Sequence, residues 1–186
     1  MLSSGCSIGL VAARLITISI ALGGLVQGQN AAGPQPVALP QPVPMPVDKP
    51  YEGTISLRVD VTNITDRILK VHETIPVKGG EVTLLYPQWL PGTHSPSNPV
   101  ANMAGLIVMA NGRRIAWVRD RVDMWAFHIG CPEGLDHLEL NFQYLAPVRP
   151  QQGRISSNFA NVKWNAVLFY PAGYHLTTSR IVKYAF

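Results

Sequence analysis

The sequence predicts an all-β protein: an antiparallel β-sandwich of about eight strands, preceded by a signal peptide and a proline-rich tail. Three observations lead to this prediction. Apolar and polar residues alternate in most segments after Tyr51, clusters of Gly and Pro separate these segments, and no long apolar stripe with helical spacing occurs. The 186 residues allow one ordinary domain with tails and are too few for a TIM barrel.

The alternation places the strands in order along the chain. Within each segment one face is apolar and the other polar, as in a strand with one buried face. Asn111-Gly112 between two apolar runs is a strong hairpin signal, because both residues tolerate positive φ. Strands are predicted over 55–61, 69–75, 82–86, 106–110, 114–118, 124–129, 138–145 and 162–170. In the strand over 138–145, we expect Leu138, Leu140, Phe142 and Tyr144 to share one side.

Residues 1–28 are predicted to be a cleaved signal peptide, cut before Gln29. Arg14 precedes an apolar run over 15–26, which is 12 residues long. A helix needs about 20 residues to cross a bilayer, whereas a secretory apolar region needs about 7–15. We therefore expect an exported protein, periplasmic or secreted, with no stable membrane span after cleavage. An uncleaved membrane anchor is the alternative.

Residues 29–50 are predicted to be a disordered, proline-rich linker. Seven of the 16 prolines of the chain fall between Pro34 and Pro50. Proline at nearly every second position prevents helix formation and removes backbone donors, so this segment is expected to be an extended spacer. The folded β-sandwich domain is then expected over 51–186.

The charge argues against one class of partner, and the cysteine content argues against a disulfide. The net charge is +4 and the basic residues are scattered, which argues against a nucleic-acid partner. Cys131 is the one cysteine after the predicted signal peptide, so no disulfide is expected within the mature domain.

Metal-site and catalytic motifs are absent from the sequence. His72-Glu73-Thr74-Ile75-Pro76 begins like H-E-x-x-H, but Pro76 stands where the second histidine belongs and the segment reads as a strand. His128 and His137 are interpreted as a surface pair on neighbouring strands. Asp120 and Asp123 alternate with arginines, which indicates a surface ion-pair cluster.

One segment combines prolines with an aromatic ring and an imidazole. Three prolines, Trp89 and His94 lie within residues 86–96. A rigid loop of this kind could line a binding surface, or Trp89 could cap the end of the sandwich while the prolines stiffen the connection. The residues alone leave both interpretations open.

Several segments resemble the N-terminal domain of glycyl-aminopeptidase-type metallopeptidases, over about residues 50–174. The segments that carry the resemblance are Tyr86-Pro-Gln-Trp-Leu-Pro-Gly-Thr-His94, Asn102–Leu106, Trp125–His128, Phe142–Pro147, Trp164-Asn165 and Leu168–Tyr174. In that exported bacterial family, a zinc-binding catalytic domain with H-E-x-x-H follows the β domain, and a PDZ domain usually comes next.

The resemblance implies a fragment without its catalytic domain. No residue of this sequence matches the zinc ligands of the family, so we expect no cofactor on this chain and no peptidase activity from it alone. Its expected partner is the zinc catalytic domain of the parent peptidase, with Trp89, Pro91, Gly92 and His94 at the domain interface. The alternative is a free-standing exported β-sandwich that binds peptide or glycan, for which a polar concave groove is expected.

Overall fold

The computed structural model describes residues 42–90, 92, 94–96, 98, 100–147, 155–156, 158–174 and 180–185, together with Gly33, and only the backbone over 180–185. Except for Gly33, these residues fall within one compact unit, Leu39–Phe186. The signal peptide predicted over 1–28 lies outside the described residues. The described part of the predicted linker, residues 42–50, is mostly exposed, and Pro50 forms a single β-bridge.

Nearly all regular structure in the described residues is β-strand. Short 3₁₀ turns occur at Val100–Asn102 and Trp164–Ala166. No helix in the described ranges has the length and apolar character needed to cross a bilayer. The strands are β1 (Thr54–Asp60), β2 (Ile68–Pro76), β3 (Gly80–Leu85), β4 (Met103–Ala110), β5 (Arg113–Ile115), β6 (Trp117–Arg119), β7 (Ala126–Cys131), β8 (His137–Leu145), β9 (Ile155–Ser156), β10 (Phe159–Ala160), β11 (Tyr170–Pro171) and β12 (Arg180–Ala185).

The strands form two main sheets, which confirms the predicted all-β sandwich. The larger sheet has the order β12-β1-β2-β8-β4-β5, the smaller has the order β11-β3-β7-β6, and β9 pairs with β10 in a separate ribbon. Neighbouring strands are antiparallel except β1 and β12, which run parallel. The core lies between the inner faces of the two sheets.

The inner faces follow the alternation that the sequence shows. On β8, the predicted row of four apolar residues is buried throughout: Leu138, Leu140, Phe142 and Tyr144. Opposite it, Val71 pairs with Phe142 and Ile75 with Leu138. An aromatic cluster centres on the buried Phe169, whose ring contacts Tyr86, Phe127 and Phe142.

The Asn111-Gly112 hairpin is confirmed, but the strand that follows it differs from the prediction. Asn111 and Gly112 have φ of 50° and 72°, as a two-residue hairpin turn requires. The single strand predicted over 114–118 is divided at Ala116: β5 belongs to the larger sheet and β6 to the smaller. The chain therefore passes from one sheet to the other here, as strands do at the corners of sandwiches.

The strand predicted over 162–170 was wrong for most of its length. Trp164–Ala166 is a 3₁₀ turn, and only Tyr170 of this stretch lies in a strand. All four residues over 166–169 are buried, so the segment is enclosed on every side and its side chains do not alternate between buried and solvent-exposed positions. A short continuous apolar run does not specify a strand, which is why the sequence misled here.

Candidate functional site

Two neighbouring loops lie at one end of the sandwich. The Trp89 loop (residues 86–100) follows β3, and the Asp120 loop (residues 120–125) precedes β7. Leu85 pairs with Ala126, so the end of β3 adjoins the start of β7. The loops are joined by the Tyr86 backbone N–H, which donates to the Trp125 carbonyl at 2.8 Å.

Asn98 fixes the base of the Trp89 loop. Its side-chain Nδ2 donates to the carbonyls of Pro87 at 2.6 Å and Asn165 at 3.1 Å. Its own carbonyl accepts the Trp125 indole N–H at 3.3 Å. Asn98 is only 2% exposed, so these bonds are shielded from water and connect both loops to the 3₁₀ turn at Trp164–Ala166. The base of the loop is thereby held in one conformation.

One polar atom at this base lacks a partner. Among the described residues, no donor reaches the buried Asn98 Oδ1. A buried acceptor left unsatisfied costs about 1–3 kcal/mol, so such atoms are uncommon in folded proteins. A group that delivered a donor to this atom would recover that cost.

The structure describes three of the four residues predicted for a domain interface. Trp89 is 56% exposed, and Gly92 and His94 are also exposed. Gly92 has φ of 83°, a conformation that favours glycine. Pro91 lies outside the described residues. The structure therefore places Trp89, Gly92 and His94 on the solvent side of one loop, above the base that Asn98 fixes.

The Asp120 loop adds apolar side chains at the same end. Val122 and Met124 are exposed, Val122 to 84%. Trp125 packs partly against the core. Exposed apolar side chains on two adjoining loops are typical of a surface that contacts another protein.

A buried carboxylate is bonded to an imidazole beside the Asp120 loop. Asp120 Oδ2 lies 2.8 Å from His128 Nε2, and Asp120 Oδ1 accepts the backbone N–H groups of Val122 and Asp123, both at 2.8 Å. The N–H of Asp123, the His128 ring and the N–H of Val122 lower the pKa of Asp120 to about 2. On the other side of the ring, His128 Nδ1 lies 3.0 Å from Thr83 Oγ1.

Two predictions about these polar residues were wrong. His128 and His137 are not neighbours across strands, because β7 belongs to the smaller sheet and β8 to the larger. Asp120 is not part of a surface ion-pair cluster, because it is buried and bonded as described above. The guanidinium of Arg119 instead lies 5.0 Å above the centre of the Phe127 ring.

The sequence analysis missed Asn98, and it assigned Asp120 to the wrong environment. Each carries a local signal: Asn98 precedes Pro99, a turn-forming dipeptide, and Asp120 directly follows a short strand. Asn and Asp side chains at such positions often bond to nearby backbone groups and so fix a turn. That signal indicates a turn but does not reveal that the side chain is buried.

A cleft of about 600 Å³ opens at the other end of the sandwich, beside the start of β3. The rings of Tyr51 and Tyr174 meet edge to face at 5.3 Å between centroids. Burial raises the pKa of Tyr51, with Tyr174 and Glu73 as further causes, so this phenol stays neutral. Its hydroxyl donates to the Pro76 carbonyl. The charged residues of the lining are Lys49, Lys78, Glu52, Glu81 and Asp136.

The described residues do not assemble a metal site. Nowhere in these ranges do three His, Cys, Asp or Glu side chains converge on one point. In the partial H-E-x-x-H sequence, Glu73 is fully buried, whereas the neighbouring His72 lies on the opposite face of β2, with its Nδ1 2.9 Å from Asn141 Oδ1. Successive residues of a strand face opposite ways, so this pair cannot hold one ion together.

Comparisons with known proteins agree with this architecture. A family model for the peptidase M61 N-terminal domain matches residues 56–182. No curated protein matches the chain. Among solved structures, an aminopeptidase N family protein from Idiomarina loihiensis is similar, with a TM-score of 0.58 and 13% sequence identity. The similarity covers 71% of this chain but only 22% of that protein, and at this identity it shows a shared fold.

Proposed function

The chain belongs to the peptidase M61 N-terminal domain family, and from this premise we propose that it is the non-catalytic N-terminal domain of an exported bacterial metallo-aminopeptidase. Its partner is a zinc catalytic domain that lies outside these 186 residues. The contact is made by the end of the sandwich that carries the Trp89 loop and the Asp120 loop.

The observation that carries this proposal is the exposure of Trp89 on a loop with a fixed base. A large aromatic side chain at the surface is the type of residue that most often dominates the energy of an interface. Because Asn98 holds the loop at its base, little conformational entropy would be lost when a partner binds.

Zinc belongs to the partner in this proposal, because the described residues of this chain do not assemble a zinc site. Peptide hydrolysis by a zinc enzyme requires ligands that hold the ion beside an activated water. The sequence lacks H-E-x-x-H, and His72 and Glu73 lie on opposite faces of their strand. We expect pure protein to contain less than a tenth of an equivalent of zinc and to show no aminopeptidase turnover. Stoichiometric zinc with turnover would contradict this assignment.

The docking surface is tested with a catalytic domain of this peptidase family, produced as a separate chain. Calorimetric titration should show binding by the wild type and at least tenfold weaker binding by Trp89→Ala, about 1.4 kcal/mol or more. The matched control is Phe159→Ala, because Phe159 is 53% exposed and lies outside both loops. Equal affinity of the two variants, or no binding by the wild type, would refute the proposed interface.

Export is supported by the sequence of the first 28 residues and is tested in a bacterial host. Expression of the full chain should yield protein in the periplasm or the medium. The mass of its N-terminal peptide should correspond to cleavage before Gln29. Uncleaved protein in the membrane fraction would favour the anchor instead.

A second candidate function rests on the cleft at the opposite end. A concave site with two tyrosines and several charged side chains suits a free-standing module that binds peptide or glycan. Replacement of Tyr174 by Ala would then abolish ligand binding without affecting a catalytic-domain complex. A peptide and glycan array, probed with wild type and Tyr174→Ala, distinguishes this function from the docking proposal.

A further inference from the structure

A chain of three hydrogen-bonded side chains crosses the outer face of the smaller sheet. Thr83 on β3 lies directly opposite His128 on β7, and Asp120 follows β6 on the far side of the imidazole. The distances are 3.0 Å from Thr83 Oγ1 to His128 Nδ1 and 2.8 Å from His128 Nε2 to Asp120 Oδ2. A hydroxyl, an imidazole and a carboxylate in this order are the three parts of an activated nucleophile.

The surrounding hydrogen bonds show which atoms of Thr83, His128 and Asp120 carry the protons. The Asp120 carboxylate is ionised at neutral pH and can only accept, so His128 Nε2 carries a proton and donates it. In the neutral ring Nδ1 is then an acceptor, and the Thr83 hydroxyl is the donor that meets it. The hydroxyl proton of Thr83 therefore points at a base, while the lone pairs of its oxygen stay available.

We propose that Thr83 is a nucleophile that accepts an acyl group from a carboxylic ester, with His128 as its general base and Asp120 as the residue that positions the ring. This inference does not require the docking function, although Asp120 belongs to one of the two loops proposed to dock. It uses side chains of the outer sheet face and requires no metal.

The surroundings of Thr83 allow a small acyl ester to approach. Thr83 is half-buried on the outer face of β3, whereas Val82 and Leu84 on either side of it pack toward the core. The His128 side chain is 19% exposed, so its environment is shielded but open to a small molecule.

The chemical step balances without a further reactant. The Thr83 oxygen attacks the ester carbonyl carbon as its proton passes to His128 Nδ1, and the bond from carbon to the leaving oxygen breaks. The proton on Nδ1 passes to the leaving oxygen, or to solvent water when a phenolate leaves, so the products are acyl-threonine and the alcohol or phenolate, and Nδ1 is free to accept a proton again. Water, deprotonated by the same nitrogen, then hydrolyses the acyl-threonine to the carboxylic acid and restores the hydroxyl.

The test uses the full chain and p-nitrophenyl acetate. A phenolate leaves readily, so activation of the nucleophile is sufficient for acetylation to be detected. Intact mass and peptide mapping should show one acetyl group on Thr83. Thr83→Val and His128→Gln should reduce this acetylation at least tenfold, whereas Thr83→Ser should retain it.

Matched controls come from the outer face of the larger sheet. There, His72 is bonded to the Asn141 amide and lacks a carboxylate partner among the described residues, and Thr74 lies on the same face of β2. Thr74→Val and His72→Gln should leave the acetylation of Thr83 unchanged. Acetyl groups on lysines alone, equal labelling of Thr74 and Thr83, or full labelling in His128→Gln would overturn the proposal. Circular dichroism confirms that each variant is folded.

The role of Asp120 is tested by the dependence of the rate on pH. Asp120→Asn keeps an oxygen for the two loop N–H groups but can place an amide N–H opposite His128 Nε2. The ring proton would then move to Nδ1, and the hydroxyl would lose its base. We expect the rate of acetylation to fall at least tenfold. The remaining rate of the variant should rise tenfold per pH unit, in proportion to hydroxide, whereas the wild-type rate should reach a plateau. An unchanged profile would refute the positioning role.

Discussion

The buried carboxyl group of Glu73 accepts the backbone N–H of Phe169, with its Oε2 at 2.9 Å and its Oε1 at 3.2 Å from that nitrogen. Glu73 lies on the inner face of β2, between Val71 and Ile75, and is fully buried. Phe169 belongs to the buried run that follows the 3₁₀ turn at Trp164–Ala166. Residue Phe169 lies outside any strand, so its backbone N–H has no partner in a sheet. The bond to Glu73 satisfies this buried donor.

Stability should fall as pH rises because of Glu73. Burial raises the pKa of Glu73 well above its ordinary value, and the Phe169 N–H opposes this only in part. The folded protein therefore binds a proton that the unfolded chain has already released. This contribution to stability is complete below the pKa of an unfolded glutamate and is lost as pH rises through the folded pKa. Between the two values, the free energy of unfolding should fall by about 1.4 kcal/mol per pH unit.

The measurement is urea unfolding at a series of pH values for the wild type and Glu73→Gln. Glutamine carries no charge at any pH, so the free energy of unfolding of Glu73→Gln should lack this part of the dependence on pH. Relative to the wild type, the stability of the variant should therefore increase as pH rises. Glu81→Gln changes an exposed carboxylate on β3 and serves as the control, with the wild-type slope retained. Parallel curves for Glu73→Gln and the wild type would contradict the assignment.

Loss of the Phe169 ring should severely destabilise the domain. The ring contacts Tyr86, Phe127 and Phe142 with centroids 5.0–5.4 Å apart. Phe169→Ala removes this buried ring and leaves a cavity, so we expect a loss of about 3–5 kcal/mol in urea unfolding. Phe159→Ala removes an exposed ring and should change stability by less than about 0.5 kcal/mol. Comparable losses would show that Phe169 is not central to the core.

Substitution of Asn98 should loosen the Trp89 loop. Asn98→Ala removes two side-chain hydrogen bonds, to Pro87 and Asn165, so we expect a loss of about 1–3 kcal/mol. Asn98→Asp is nearly isosteric but brings a carboxylate against the Pro87 carbonyl, so its loss should be larger at neutral pH. Thermal unfolding measures both losses. A smaller effect of Asp than of Ala would contradict the hydrogen-bond assignment.

The larger features of the fold could be predicted because they depend on local patterns. Alternation identifies β1, β2 and β8, and Asn111-Gly112 identifies a turn whose positive φ values require such residues. The segment over 166–169 could not be assigned in this way, because burial on every side removes the alternation. The acceptor for its backbone donor is a glutamate 96 positions away in the chain.

The candidate site could be predicted only where a single loop carries it. The prolines and Trp89 mark one loop as unusual within a few residues of sequence. The bonds of Asn98 to Asn165, and of His128 to Thr83 and Asp120, join positions 67, 45 and 8 residues apart. The contact of Thr83 with His128 follows from the pairing of β3 with β7 within the smaller sheet, and one sequence does not specify which strands pair.

Gly79 should tolerate no side chain, because backbone atoms surround it. A Cβ at this position would lie 2.6 Å from the Pro132 carbonyl oxygen and 2.8 Å from the Glu133 Cα. Gly79→Ala must displace one of these segments, so we expect a loss of about 1–3 kcal/mol in urea unfolding. In Gly130→Ala, the nearest atom is the Glu81 carboxylate oxygen at 3.2 Å, the end of a flexible and exposed side chain. That variant should lose much less, and an equal or larger loss in Gly130→Ala would contradict the close approach of the two turns at Gly79.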